Sequence, residues 1–353
     1  MDTLIRLRSG ACIGRRELVQ VARDGRLVET RGADLEVGDW VALPFGVGFP
    51  ARLVPLPDFG LGRGYGSQNK VRLPKVLDAD LALLLGMYAS EGHTSRSNYS
   101  IIIRNSEDVV LERCLELWER CFGLSARIAR PKNRCPSVVV HRKTVMLLFD
   151  ALDCGTRASN KRISWAVMGS PLPVVQAFLQ GLALDAYTST RGTGVKWAIC
   201  VDSPTLLDDL QLLLRWWGIQ SGRIGKYNPT YDKTYDEVFV SGSEAQRLLT
   251  VVRFLEPSKQ PSAERLLSSD IDVRSNGADV VPLVHGSALY AEIPEGLGGR
   301  SGAGTGVAVQ WRSLCDKRTV WPSRHMVERI AAAGYRLPAD VQRVLDEQLH
   351  FSP

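Results

Sequence analysis

The strongest constraint on the fold is an internal repeat in the middle of the chain. The segment LLGMYASEGHT near residue 84 matches LQGLALDAYTST near residue 179, which pairs Gly86 with Gly181. Three more segment pairs follow in the same order, at an offset of roughly 94 to 100 residues. Because one offset holds through all the matches, we predict two copies of one structural unit, at residues 79–167 and 168–262.

Each copy shows the same order of helix and strand signals. An apolar segment with helical spacing is followed by a β-rich stretch and by a helix that stops at a glycine, Gly123 in the first copy and Gly218 in the second. Two strand-like segments around a turn and a last helix complete the copy. The pattern therefore predicts an αββαββα unit that occurs twice.

Three regions lie outside the repeat. Residues 1–50 predict a small β-rich domain made of short strands, and residues 51–78 are rich in Gly and Pro and predict a linker. Residues 263–353 predict a mixed, mostly helical accessory region with helices near 323–334 and 338–349. An accessory role in DNA binding is a possible function for this region, based on Arg312, Lys317, Arg318 and Arg324.

Composition limits the class of protein. The formal charge of +6 suits a nucleic-acid partner, because Lys and Arg release condensed counterions when they neutralise phosphates, although many other enzymes are equally basic. The seven cysteines form no CxxC pair and are expected to be reduced thiols. The sequence has no apolar run of about 20 residues and no secretory signal pattern, so we expect a cytoplasmic protein that is neither secreted nor bound to a membrane.

The segment LLGMYASEG resembles the LAGLIDADG motif of homing endonucleases, and KVRLPKVLDADLALLLGMYASEGH resembles the version carried by inteins. The resemblance implies that two motif helices, one from each unit, pack through Gly86 and Gly181 and that each ends with an acidic residue. It implies an α+β fold in which two pseudo-symmetric units form a saddle of antiparallel sheets. The chain is expected to act as a monomer with an internal pseudo-two-fold axis.

The resemblance also implies a pair of catalytic carboxylates that bind a divalent metal ion, for which oxygen ligands suit Mg²⁺ or Mn²⁺. The acid of the first unit is Glu91. In the second unit the position that matches Glu91 is Ala186, the expected glycine is Tyr187, and the acid is Asp185, one residue earlier. A helix turns about 100° per residue. Either the helix end is rewound and Asp185 serves as the ligand, which we favour, or this half has lost its ligand.

A second signature follows each unit. The segment CGTRASNKRIS resembles the intein segment in which a lysine precedes an isoleucine, and it contains Lys161; FLEPSKQPSAERLL has Lys259 at the corresponding place. The resemblance implies that these catalytic lysines face the metal-bound water and the scissile phosphate, where a cation stabilises developing negative charge. The alternative is that both are ordinary surface lysines.

In the resembled family the sheet of each unit lies along the major groove of double-stranded DNA, where side chains contact base edges and phosphates. The predicted contacts are polar or charged residues of the strands and turns: Arg96, Asn98, Arg104, Arg127, Arg130, Lys132, Arg134, Arg142, Lys196, Arg223, Lys226 and Tyr227. A run of charges is also typical of a solvated face. The densest cluster lies at 130–134.

The N-terminal segment resembles the start of an intein (Hint) splicing domain, through MDTLIRLRSG and LEVGDWVALP. Splicing requires a nucleophilic Cys or Ser at the first position, a Thr-x-x-His pair and a C-terminal His-Asn. Position 1 is Met1, the first histidine is His93, and the last letters are HFSP. We therefore predict a partial Hint fragment that does not splice by itself.

The predicted function is that of a site-specific, Mg²⁺-dependent homing endonuclease. It would hydrolyse phosphodiester bonds of double-stranded DNA at a long asymmetric target and leave a staggered break with 3′ overhangs. The alternatives are a nickase, a DNA-binding protein that has lost cleavage, and a fragment of a splicing intein.

Overall fold

The structure, a computed structural model, describes residues 4–7, 11–57, 71–189, 195–230, 232–268, 279–284, 321–332, 334 and 336–352. In this part of the chain the strands are β1 Leu4–Arg6, β2 Cys12–Gly14, β3 Leu18–Arg23, β4 Arg26–Arg31, β5 Trp40–Leu43, β6 Gly92–Ser95, β7 Ser100–Arg104, β8 Arg127–Ala129, β9 Ser137–His141, β10 Ala186–Ser189, β11 Lys196–Cys200, β12 Gly222–Asn228, β13 Lys233–Ser241 and β14 His350–Ser352. The helices are α1 Ala79–Glu91, α2 Asp108–Phe122, α3 Lys143–Ala151, α4 Trp165–Met168, α5 Leu172–Leu182, α6 Pro204–Trp216, α7 Gly242–Val251, α8 Gln260–Leu267, α9 Arg324–Ala332 and α10 Ala339–Asp346. The protein is a mixture of helices and antiparallel sheets.

The same αββαββα order occurs twice. The first copy runs from α1 to α3 and folds into a sheet with strand order β6-β7-β9-β8. The second copy runs from α5 to α7 and gives β10-β11-β13-β12, which is the same order of strands. Every pairing in both sheets is antiparallel. The repeat in the sequence is therefore a repeat of secondary structure.

Helix α1 lies at the centre of the molecule. It begins after Asp78, whose carboxylate accepts a hydrogen bond from the backbone N–H of Leu81 at 2.9 Å and so satisfies one of the free donors of the first turn. All residues from Leu81 to Ala89 are buried. A helix that is apolar on every side must be covered on every side. Helix α1 achieves this by packing against α5, α2 and its own sheet.

Helices α1 and α5 approach each other through two glycines. A Cβ atom added at Gly86 would lie 2.1 Å from the backbone oxygen of Phe178, and one added at Gly181 would lie 2.3 Å from that of Leu83. Side chains cannot occupy these positions because the obstacle in both cases is backbone. The absence of side chains at Gly86 and Gly181 therefore allows the short distance between the two helix backbones.

The two ends of the described chain form one flanking domain, although the sequence patterns predict two separate regions. Strand β14 near the C-terminus pairs with β5, and the sheet order is β14-β5-β3-β4. Helices α9 and α10 and residues 279–284 share a hydrophobic core with this sheet, which includes Ala22, Val281, Val327, Val344 and Phe351. The backbone N–H of Leu27 also donates to Asp340 at 3.1 Å.

Two predicted boundaries need correction. The segment 51–78 is more than a linker, because Leu56 and Leu77 are buried in the main core and Leu77 donates its backbone N–H to Val54 at 2.9 Å; residues 58–70 lie outside the described chain. The boundary between 262 and 263 falls inside α8, so this helix belongs to the second unit. Both segments are held by burial of apolar side chains, which local composition does not reveal.

Among the described residues, no helix has both the length and the apolar character needed to cross a bilayer.

Candidate active site

The two candidate catalytic acids occupy the same place in the two units. Glu91 is the last residue of α1 and directly precedes β6. Asp185 ends a 3₁₀ turn, Ala183–Asp185, that continues α5 and directly precedes β10. Because α1 and α5 cross through their glycines, both acids lie beyond the crossing at the same end of the helix pair.

The 3₁₀ turn compensates for the missing residue between Gly181 and Asp185. An α-helix turns about 100° and rises about 1.5 Å per residue, whereas a 3₁₀ helix turns about 120° and rises about 2.0 Å. Four residues, three of them in the 3₁₀ turn, therefore rise about 7.5 Å, as do the five α-helical residues from Gly86 to Glu91. The angular offset between the two acids falls from about 100° to about 40°. This is the local rewinding that the use of Asp185 requires.

Burial and neighbouring charge destabilise both carboxylates in their ionised form. Burial, together with the negative charges of Asp185 and Glu256, raises the pKa of Glu91 to about 7. Burial raises the pKa of Asp185 to about 6, and the Ser90 hydroxyl and Lys259 oppose this shift. A pair of carboxylates with raised pKa values at the ends of two packed helices is typical of a functional site.

Lys161 lies beside the end of α1. Its side-chain nitrogen donates to the backbone oxygen of Tyr88 at 2.9 Å and lies 3.0 Å from the centre of the Tyr88 ring. The residue is only 1% exposed, and burial lowers its pKa to about 6. The hydroxyl of Ser203, at the start of α6, donates to the backbone oxygen of Lys161 and anchors it. Lys161 is therefore a buried lysine, in contrast to the surface alternative.

Lys259 has a different environment. It ends the 3₁₀ turn Pro257–Lys259, donates to the backbone oxygen of Leu184 and forms an ion pair with Glu256 at 2.6 Å. Glu256 is buried and adds negative charge near both Glu91 and Asp185. The sequence patterns do not single out Glu256. The only signal is an acid three residues before the candidate lysine, which is also common in surface ion pairs.

The low pKa of Lys161 predicts a dependence of stability on pH. The unfolded chain keeps this lysine protonated up to a pKa of about 10.4, whereas the folded protein releases the proton near pH 6. Between these values the unfolded state binds more protons, so stability rises with pH, by up to about 1.4 kcal/mol per pH unit. We expect Lys161→Met to be more resistant to urea than the wild type near pH 7, with an advantage that shrinks towards pH 9. A difference in unfolding free energy that does not change with pH would contradict this.

The donor set fits a hard divalent cation. Glu91 and Asp185 offer only oxygen atoms, which Mg²⁺ and Mn²⁺ prefer, and a nearby cation would offset the burial and the negative charges that raise both pKa values. The described residues contain no group of three or more His, Cys, Asp or Glu side chains with metal-binding geometry. Glu91 and Asp185 are the side chains that would hold the ion.

The register defines which residues of the first sheet point away from the helices. Ile101, Ile103 and Val138 are buried against the helices, so the alternate residues face outwards. His93, Ile102, Val139 and Arg127 form one outward row across β6, β7, β9 and β8.

The predicted DNA contacts of the first unit lie on the strands, in the turns that join them and, for Arg142, between β9 and α3. Those on strands are Arg104 and Arg127, and those in or next to turns are Arg96, Asn98, Arg130, Lys132, Arg134 and Arg142. Arg104 lies 2.9 Å from a ring nitrogen of His93. Arg96 and Arg130 pair with Asp150 and Asp108 at 3.0 and 2.6 Å. Exposed ion pairs of this kind contribute at most about 1 kcal/mol, so a phosphate can replace the acid.

The second sheet differs from the first. Lys196 and Lys226 point outwards and both contact Glu237, which the sequence patterns do not single out. Arg223, by contrast, lies opposite the buried Val238 and therefore faces the helices, where Asp208 and Asp236 hold it. Arg223 is not positioned to contact DNA through the outward face.

Tyr227 lies four residues after Arg223 on β12, so its side chain is on the same, helix-facing side of the strand. Its ring is exposed, and its hydroxyl donates to Asp232 at 2.8 Å. In the C-terminal region, Arg324 is buried and pairs with Asp279 at 3.3 Å, and Arg312, Lys317 and Arg318 lie outside the described residues. Arg324 therefore supports the flanking domain.

No protein-family model matches this chain. Sequence relatives include a DNA polymerase of Thermococcus hydrothermalis, 33% identical over 171 residues that make up 45% of this chain and 10% of the polymerase. One chain of the A-type ATP synthase of Pyrococcus abyssi is 26% identical over 52% of this chain and 18% of that protein. The replication factor C small subunit of Thermococcus kodakarensis is 27% identical over 53% of this chain and 21% of that protein. The matched segment is thus about a tenth to a fifth of each relative.

The solved structures that match part of this chain include DUF199/WhiA from Thermatoga maritima and homing endonucleases. I-WcaI bound to its DNA recognition sequence covers 57% of this chain and 95% of its own, with 10% identity and a TM-score of 0.41. Variants of I-DmoI cover 50% of this chain and 98% of their own, with 14% identity and a TM-score of 0.37.

Proposed function

We propose that this protein is a LAGLIDADG-type homing endonuclease that hydrolyses phosphodiester bonds in double-stranded DNA. The observation that carries the proposal is the crossing of α1 and α5 through Gly86 and Gly181, which brings Glu91 and Asp185 to one end of the helix pair. Two similar sheets flank this crossing, and the outward face of each carries cationic side chains. A monomer with two such halves fits a long asymmetric target and a staggered break with 3′ overhangs.

The residues of the site have distinct proposed roles. Glu91 and Asp185 would hold Mg²⁺ or Mn²⁺, which when bound activates water and stabilises the leaving oxygen. Lys259 keeps its ammonium group next to Glu256 and offers positive charge to the scissile phosphate. Lys161, which burial keeps uncharged near neutral pH, can accept a proton at its nitrogen.

The sequence relatives support an origin as an inserted element. A DNA polymerase, a replication factor and an ATP synthase have unrelated activities, yet a protein of each kind matches this chain over a small share of its length. A segment shared by unrelated hosts is expected of a mobile intein rather than of a host domain. The flanking domain, whose two parts lie on either side of the endonuclease units, fits the remnant of a Hint splicing domain. Its place would be the cytoplasm, with the DNA.

A second candidate is a nickase or a DNA-binding protein that no longer cuts both strands. Ala186 and Tyr187 favour it, because they replace the acid and glycine of the motif, and Asp185 reaches the site only through the 3₁₀ turn.

The test uses supercoiled plasmids that carry uninterrupted copies of candidate host genes, incubated with the purified protein and Mg²⁺. Linear product from one plasmid supports the endonuclease, and open-circle product alone supports a nickase. Binding without any break, in Mg²⁺ and in Mn²⁺, would leave the DNA-binding alternative. No binding to any duplex would reject both.

A further inference from the structure

The outward face of the second sheet contains a buried carboxylate. Glu237 on β13 is 1% exposed, and its oxygens accept hydrogen bonds from the Tyr187 hydroxyl and the Lys196 ammonium. The Lys226 nitrogen lies 3.4 Å from the same carboxylate and 3.2 Å from the Tyr187 hydroxyl. Two cations and a phenol from three strands are thus joined through one acid.

The first sheet has no counterpart. Glu237 pairs in register with Cys200, whereas Ser137 pairs with Arg104, so Ser137 occupies the position of Glu237 in the first unit. None of the four strands of the first sheet contains Asp or Glu. Its outward cations are Arg104, which contacts His93, and Arg127, which forms no ion pair with the described residues.

The difference changes how each sheet meets a polyanion. Nonspecific DNA affinity arises mainly from cations that replace counterions at phosphates. On the first sheet no Asp or Glu of the strands offsets the positive charges of Arg104 and Arg127. On the second sheet one carboxylate offsets part of the charge of Lys196 and Lys226 and restricts the positions of both ammonium groups. Fixed donors favour a defined set of base and phosphate positions over others.

We infer that Glu237 is a positioning residue for DNA recognition, which holds Lys196, Lys226 and Tyr187 as one group. The second unit then contributes sequence discrimination, and the first unit contributes most of the salt-dependent affinity. This inference rests on the proposed DNA-binding function. Burial raises the pKa of Glu237, but hydrogen bonds from Lys196 and Tyr187 outweigh burial and hold the pKa below its usual value. The carboxylate is therefore ionised at neutral pH.

The first experiment measures the binding of a random-sequence duplex of about 30 base pairs by fluorescence anisotropy at several salt concentrations. Glu237→Gln removes one negative charge from the second sheet, so its affinity should rise and the slope of log K against log[salt] should steepen by up to about 0.9. The reciprocal variant Ser137→Glu places an acid beside Arg104 and should weaken binding and flatten the slope by a similar amount. Glu237→Asp, which keeps the charge, should behave like the wild type.

The second experiment selects bound sequences from a randomised duplex library. We expect Glu237→Gln to lose sequence preference in one half of the selected site and to keep it in the other. A general structural fault would blur both halves and lower the melting temperature. Unchanged slopes together with an unchanged selected site would overturn the inference.

The two proposals fail in distinguishable ways. A wild type that binds no duplex contradicts the proposed function itself. A wild type that binds DNA, with Glu237→Gln and Ser137→Glu indistinguishable from it, contradicts only the role of Glu237. If Glu237→Gln does not fold, the selected site of Glu237→Asp decides, because the shorter side chain keeps the charge but holds its three partners less firmly; sequence preference retained in both halves would then contradict the role of Glu237.

Discussion

Replacing Glu91 with Gln is expected to abolish DNA cleavage while DNA binding persists. The change keeps the shape of the side chain and removes the charge that would hold the metal ion, and loss of such an electrostatic group costs about 10²- to 10³-fold in rate. Binding should be equal or tighter, because the variant has one negative charge fewer near the scissile phosphate. Strand-resolved cleavage on denaturing gels and binding by gel shift measure the two effects separately.

The same variant should be more stable than the wild type. The folded pKa of Glu91 is about 7 and its ordinary value is 4.5, so between these pH values the folded protein binds more protons than the unfolded chain. The stability of the wild type therefore falls as pH rises through this window, and Gln avoids the loss. The expected gain at pH 8 is about 3 kcal/mol, because each pKa unit corresponds to about 1.4 kcal/mol. Urea unfolding without divalent ions measures it, and a loss of stability would contradict the assigned environment.

Asp185→Asn is the matched variant in the second unit. If both acids hold metal ions, it should reduce cleavage about as strongly as Glu91→Gln. If the second half is inactive, it should leave the nicking of one strand at the wild-type rate. The comparison therefore decides between the endonuclease and the nickase. An undiminished rate in Glu91→Gln would remove Glu91 from the mechanism.

Local sequence patterns and the internal repeat were enough to predict the two units and part of the candidate site. The two αββαββα units and the glycine pair follow from periodicity and from self-alignment, and Glu91 follows from the resemblance of its segment to the LAGLIDADG motif. The role of Asp185 was ambiguous because Asp185 is one residue closer to Gly181 than Glu91 is to Gly86. In a regular α-helix this spacing would point the Asp185 side chain in a different direction, and only the change from α-helix to 3₁₀ turn corrects it. A sequence does not show where a helix tightens.

Contacts between distant segments escaped prediction altogether. The negative charge of Glu256 helps to raise the pKa values of Glu91 and Asp185, and Glu237 accepts hydrogen bonds from residues on other strands. The flanking domain joins segments as far apart as Leu27 and Asp340, which are 313 positions from each other. In each case the partner is defined by the fold, so no spacing within the sequence marks it. The spacing of Arg223 in the sequence likewise does not show that its strand turns it towards helix-facing acids.

Replacing Gly86 or Gly181 with Ala is expected to destabilise the protein by about 3 kcal/mol or more, at the upper end of the range for overpacked cores. The added methyl group would meet backbone oxygen at 2.1 or 2.3 Å, and neither atom can move unless the two helices separate. Alanine otherwise favours a helix over glycine by about 1 kcal/mol, so a loss of stability can be assigned to the crossing. Urea unfolding gives the change in the free energy of unfolding.

Gly169→Ala provides the matched control, because the same methyl group at the end of α4 would lie 3.4 Å from a side-chain carbon of Val54, which is close to an ordinary contact. We expect it to change stability by less than about 1 kcal/mol.

Separation of α1 and α5 also moves Glu91 away from Asp185, so Gly86→Ala should reduce cleavage by a larger factor than it reduces DNA binding, even at a temperature where it stays folded. Equal losses of cleavage and binding would indicate unfolding alone, and wild-type stability in both glycine variants would mean that the helices do not cross at this distance.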